Sequence, residues 1–140
     1  LTRRSSHLRD HPGEICFPGG RWQEGDKTFY ETATRELQEE LGIPPARIHP
    51  IRMLDSQPTL TGFLIHPWLA SIDTLLPFHI NNDEVAEVLQ VAMCKVCQRS
   101  NYRQIAVKRQ GMKMTTWQFK HDADLIWGAT AKIMMQLIKT

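Results

Sequence analysis

Three glutamates, Glu36, Glu39 and Glu40, stand within five residues of one another, and Arg35 immediately precedes them. On a helix of 3.6 residues per turn these positions are i, i+3 and i+4 and fall on one face. Like charges at that spacing cost an isolated helix about 0.2–0.5 kcal/mol per pair. A divalent cation reverses the sign of that term, because hard cations such as Mg²⁺ take carboxylate oxygens together with phosphate and water oxygens. A glutamate cluster alone is more often a solvated helix face. Here the preceding residues add to it: a Pro18-Gly19-Gly20 turn and a polar stretch lead into the cluster.

The elements that must position these groups are readable around them. Thr28 with Glu31 has the form of a capping box, and Gly42 followed by Pro44 supplies a stop, so the pattern predicts a helix over 28–41. Tyr30, Thr34, Leu37 and Leu41 lie on a neighbouring face suited to packing beneath a sheet. A strand over 14–17 runs into the glycine turn. Further strands are expected over 48–54, 61–70 (broken by Pro67), 85–91, 102–107 and 114–119, and a closing helix over 126–138. That order suggests the α/β class: a mixed β-sheet covered by helices on both faces, an α/β/α sandwich.

The stretch from Gly20 to Ile43 resembles the Nudix box. In that box a glycine, five residues, a glutamate and seven residues lead into Arg-Glu-hydrophobic-any-Glu-Glu-any-Gly-hydrophobic. Arg35-Glu36-Leu37-Gln38-Glu39-Glu40-Leu41-Gly42-Ile43 matches the second half throughout. Two departures stand out: Asp26 replaces the early glutamate, and eight residues separate it from Arg35. Upstream, Arg4-Ser5, Arg9, Gly13 and Phe17-Pro18-Gly19-Gly20 follow the spacing R-S-x3-R-x3-G-x3-F-P-G-G. This is similar to the signature of the coenzyme A pyrophosphatase (CoA diphosphatase) branch, which also carries the one-residue extension. Asn82-Asp83-Glu84-Val85-Ala86-Glu87-Val88 and Trp127-Gly128-Ala129-Thr130-Ala131 extend the resemblance over nearly the whole chain.

The resemblance implies a Nudix fold in a single domain over 1–140, and hydrolysis of a diphosphate joined to a nucleoside, using Mg²⁺ or Mn²⁺. For coenzyme A or its thioesters the products are 3′,5′-ADP and (acyl-)4′-phosphopantetheine. Carried over by position, Glu36 and Glu40 are the metal ligands and Glu39 is a third ligand or a base. Glu84 or Glu87 could supply the general base from a separate loop. Arg35 would orient the glutamates through charge-assisted hydrogen bonds, and Gly19 and Gly20 would let the backbone approach the helix. Arg4 and Arg9 belong to a basic group, with Arg3, His7 and His11, suited to the 3′-phosphate of coenzyme A. Two alternatives stay open. One is a hydrolase of ADP-ribose, a dinucleotide or an oxidised nucleotide, and the other a Nudix-fold nucleotide sensor without catalysis. The intact glutamate set argues against the sensor.

Trp127 reads as core, with stacking on adenine as the other reading. Cys94 and Cys97 form a C-x-x-C pair lacking two further zinc ligands at suitable spacing, so packing is the expectation. The 140 residues suffice for a hydrophobic core, and 41% hydrophobic with 23% charged content fits a globular protein. A net charge of +2 is not that of a general nucleic-acid binder. No apolar run approaches the roughly 18 residues of a membrane span. Three cysteines make no disulfide framework, which favours a reducing, cytoplasmic compartment. The expected partner is thus a small-molecule nucleoside diphosphate, with neither nucleic acid nor membrane. The chain opens on Leu1, and Leu1-Thr2-Arg3-Arg4 looks like the end of a strand. The expectation is a preceding strand segment, and an unpaired edge here that would suit a homodimer.

Overall fold

A computed structural model describes residues 1–138. The chain has the expected α/β class, and its described residues form two compact units: 1–54 with 68–89, and 55–67 with the residues from 90 onward. The paired ladders among these residues run antiparallel. Among them no helix is long and apolar enough to cross a membrane.

The first unit holds β1 (Thr2–Arg4), β2 (Ile15–Cys16), α1 (Phe29–Leu41), β3 (Ile48–Met53), β6 (Trp68–Ile72) and β7 (Val85–Val88). Strands β2, β1 and β7 form one sheet in that order, with Thr2 opposite both Cys16 and Val88. This corrects the expectation of an unpaired edge at the chain start. Among the described residues β1 is the central strand of this sheet, paired on both sides. Strands β3 and β6 pair with each other, with an irregularity between Pro50 and Arg52, where proline cannot donate to a ladder. Leu41, Ile43 and Val85 are buried together, backed by Leu37, Ile48 and Phe78. Each such side chain contributes about 1.5–3 kcal/mol when fully buried, so the apolar stripe of α1 fixes the direction in which its polar face points.

The second unit holds β4 (Gln57–Pro58) paired with β5 (Leu64–Ile65), α2 (Met93–Val96), and the sheet of β8 (Tyr102–Arg109), β9 (Met112–His121) and β10 (Asp124–Trp127), followed by α3 (Ala129–Met135). Gln110 and Gly111 turn the β8–β9 hairpin with positive φ at both positions, as a two-residue hairpin loop requires. Phe119, Ile126 and Tyr102 are buried in this unit.

Three local expectations shift. The segment 61–70 divides at His66-Pro67 into β5 and β6, which lie in different sheets. The closing helix starts at Ala129: Asp124–Trp127 is a strand, and Gly128 at φ 67° makes the break, so Trp127 is a half-buried strand residue. Cys94 and Cys97 are exposed rather than packed, and Val96 between them is the buried residue of that turn.

Candidate active site

Helix α1 presents the site, and its ends are built as the sequence indicated. Thr28 caps it, its hydroxyl accepting from the Glu31 N–H at 3.1 Å. The Glu31 carboxylate reaches back to the Lys27 N–H at 2.7 Å, one residue further than the usual reciprocal bond. At the other end Gly42 takes φ 66° and donates to the Gln38 carbonyl.

Beyond that cap the backbone is stitched to the helix end. The His79 N–H donates to the Leu41 carbonyl at 2.7 Å, and the Asn81 N–H to the Glu40 carbonyl at 2.9 Å. The Asn81 carbonyl then accepts from Glu84 and Val85, closing a turn. From β1, the Ser5 N–H donates to the Glu84 carbonyl and its hydroxyl to the Asn82 carbonyl, both at 2.9 Å. These bonds set Glu84 beside Glu36 and Glu40, and one carboxylate oxygen from each of the three lies within 4.8 Å of the others.

The glycine turn closes the other side. A Cβ at Gly20 would overlap the Glu36 carboxyl group, so any other residue there would displace that side chain. Gly19 acts differently: a Cβ there would meet nothing within 4 Å, and its N–H donates to Glu40 Oε2 at 3.3 Å. Close approach therefore explains Gly20 and not Gly19.

The electrostatics follow from this crowding. Glu40 is only 8% exposed. Burial, and after it the neighbouring Glu36 charge, pushes its carboxyl up to about 8, with the Gly19 N–H pulling the other way. Burial likewise raises Glu36. Like charges crowded out of water disfavour ionisation.

Arg35 ties down the outer side. Its guanidinium grips both Asp26 carboxylate oxygens at 3.0 Å, reaches Glu36 and Glu39 at 3.1 Å each, and donates to the Arg21 carbonyl. Asp26, the residue that departs from the box, also accepts from the Gln23 N–H and the Thr32 hydroxyl. The Arg35 hydrogen bonds, then the Gln23 N–H, hold Asp26 well below the usual carboxylate range, and Asp26 in turn raises Arg35. Thr32 is a contributor that spacing alone did not single out.

Glu39 lies outside the trio. Its side chain is 48% exposed and bound to Arg35, and the third carboxylate of the cluster is Glu84. Glu87 pairs with Arg3 at 2.7 Å instead of joining the cluster. The basic group at the chain start is largely engaged within the protein. Arg4 donates twice to the Asp10 carbonyl, His7 meets the Asp83 carbonyl, and His11 pairs with Glu14. Arg9 is exposed and makes no hydrogen bond or ion pair among the described residues.

The Nudix domain family matches residues 1–106. The chain belongs to the Nudix family. It is 34% identical over 137 residues to the uncharacterized Nudix hydrolase NudL of Yersinia enterocolitica, covering 98% of this chain and 70% of that protein. The same identity and length hold for the NudL proteins of Salmonella paratyphi B and Salmonella newport, across 71% of each. In this Nudix chain the three clustered carboxylates suit a divalent cation by donor type and by spacing. Hard oxygen donors are what such ions take, and a cation would offset the burial, and after it the repulsion, that raise Glu40 and Glu36. The arrangement thus offers the means for Nudix-type hydrolysis of a phosphoanhydride.

Proposed function

We propose that this Nudix hydrolase cleaves the diphosphate of coenzyme A or its thioesters, releasing 3′,5′-ADP and (acyl-)4′-phosphopantetheine, with Mg²⁺ or Mn²⁺ as cofactor. The observation that carries the metal-dependent chemistry is the convergence of Glu36, Glu40 and Glu84 within 4.8 Å. These three would hold the cation. When bound, it supplies neutralisation of diphosphate charge and a water of lowered pKa. Gly19 and Gly20 keep Glu40 and Glu36 in place, and Arg35 positions Glu36 from outside. Glu84 comes from a separate segment and serves as third ligand or general base. Glu39, exposed and held by Arg35, is the weaker candidate for either role.

The substrate assignment is supported by the run from Arg4 to Gly20 and by Arg9, whose guanidinium is left for a ligand. If Arg9 meets the 3′-phosphate, coenzyme A should exceed its dephospho form in kcat/KM by about ten- to a hundredfold. Arg9→Ala should erase most of that ratio while sparing dephospho-coenzyme A. An unchanged ratio removes Arg9 from the phosphate site. A second reading has a footing in the engaged state of Arg3, Arg4, His7 and His11: a nucleoside diphosphate without a 3′-phosphate, such as ADP-ribose or a dinucleotide. A wild-type preference for ADP-ribose over both coenzyme A forms would establish it.

A further inference from the structure

Beside the first turn of α1 the first unit carries a cleft of about 320 Å³ lined by Trp22, Lys27, Phe29, Met53 and Trp68. Its walls are large apolar side chains left facing solvent: Trp22 is 55% exposed, Phe29 50% and Met53 59%. Exposed apolar groups scattered singly need no explanation, but a concave set of them marks a binding site. Trp68 and Met53 are cross-strand partners on β6 and β3, and Tyr30 packs edge-on against Trp68 at 5.2 Å, so the floor of the cleft is fixed by the sheet.

The position of this cleft relates it to the glutamates. Phe29 and Glu36 are seven residues apart on one helix, which places them within about 20° of the same line and about 10 Å apart along the axis. Glu40, eleven residues from Phe29, falls within about 20° of that line on its other side. The connecting loop runs the same course, from Gly20 against Glu36 to Lys27 and Thr28 at the helix cap, and Trp22 lies on it. Cleft and carboxylate cluster are therefore two stations along one face of α1, separated by an interval that a nucleoside 5′-phosphate spans.

We propose that this cleft is the nucleobase subsite, in which the purine of the substrate stacks on Trp22 and Phe29 while its phosphates extend along α1 towards Glu36 and Glu40. This rests on the nucleoside diphosphate reading above and holds for either substrate named there. Two observations favour a base over an aliphatic arm. Aromatic faces are the platforms on which bases stack. Lys27 stands at the rim with an ammonium that makes no ion pair among the described residues, matching a nucleotide's negative charge.

The test is equilibrium titration with AMP and, separately, 4′-phosphopantetheine, followed by calorimetry with Mg²⁺ present. Trp22→Ala and Phe29→Ala should each weaken AMP binding by about ten- to a hundredfold, and change 4′-phosphopantetheine binding by no more than about twofold. The Trp22 indole N–H also donates to the Asp26 carbonyl at 2.8 Å, so loss in Trp22→Ala could come through that loop. Trp22→Phe keeps an aromatic face and removes that bond, and it should retain most of the AMP affinity. Unchanged AMP binding in both alanine variants overturns the proposal, as does a loss that falls on 4′-phosphopantetheine instead, or wild-type protein that fails to bind AMP at millimolar concentration. None of these readouts requires turnover. A failure to cleave coenzyme A would count against the substrate assignment and leave the nucleobase subsite standing or falling on its own data.

Discussion

Glu40 and Gly20 show how narrowly single positions are specified around the cluster. Glu40→Gln keeps the shape and an acceptor for the Gly19 N–H, yet removes a charged ligand. Turnover should fall by at least ~10² if transition-state stabilisation by the metal is lost, with the fold intact. Near-normal turnover at saturating Mg²⁺ would sink the ligand assignment. Gly20→Ala tests the same site from the other side. Its Cβ would overlap the Glu36 carboxyl group, so that side chain must swing away. The expected result is weaker Mn²⁺ binding in a calorimetric titration and a kcat at least about tenfold lower, since misplacing a positioned group by an ångström can cost that much. Gly19→Ala keeps its N–H and meets no neighbour, so it should stay near wild type. Equal damage from both alanines would show that Gly20 matters for the turn and not for Glu36.

At the scale of the element, α1 is the piece whose stability the site depends on. Thr28→Ala removes the cap and should cost about 1 kcal/mol of unfolding free energy, measurable as a lower urea midpoint with an unchanged slope. No loss would mean that Glu31, through the Lys27 N–H, holds the first turn without Thr28. This helix was legible in the sequence because its signals are local: a hydroxyl three residues before a glutamate, a left-handed glycine and an apolar stripe. The Arg35–Glu36–Glu40 part of the site was legible for the same reason. Glu84 entered the reading only as a base that the resemblance suggested, because its place in the carboxylate cluster is set by main-chain bonds from Asn81 to Glu40 and from Ser5 to Glu84. Spacing does not encode those bonds. The basic group was legible as charge but its partners were not, for a related cause: Arg4 and His7 end on carbonyl oxygens, which every residue carries. At the end of the chain, Asp124–Trp127 and Ala129–Met135 supply one continuous apolar run, and only the backbone at Gly128 separates strand from helix.

For the whole molecule, the carboxylates pull stability in opposite directions as pH changes. Asp26 is held below the usual carboxylate range, so its contribution is present above an unfolded value of 3.8 and is lost on acidification below it. Glu40 does the reverse. Its proton is retained in the folded protein up to about 8, against 4.5 for the unfolded chain. Its contribution is therefore complete below 4.5 and is lost progressively as pH rises to about 8, because over that window the native state binds more protons than the unfolded one. Metal-free protein should then be most stable near pH 4–5 and lose Tm steadily towards pH 8. A divalent cation needs the ionised carboxylates and binds the folded state, so its stabilisation should grow with pH across that same window. In Glu40→Gln the metal-free decline should flatten, since glutamine has no proton to release, and much of the gain from metal should vanish. The measurement is Tm against pH for wild type and Glu40→Gln, in chelator and in saturating Mg²⁺. A metal-free Tm that climbs from pH 5 to 8, or a metal gain equal at both ends, would show that Glu40 is ionised without a cation and that repulsion within the cluster is relieved some other way.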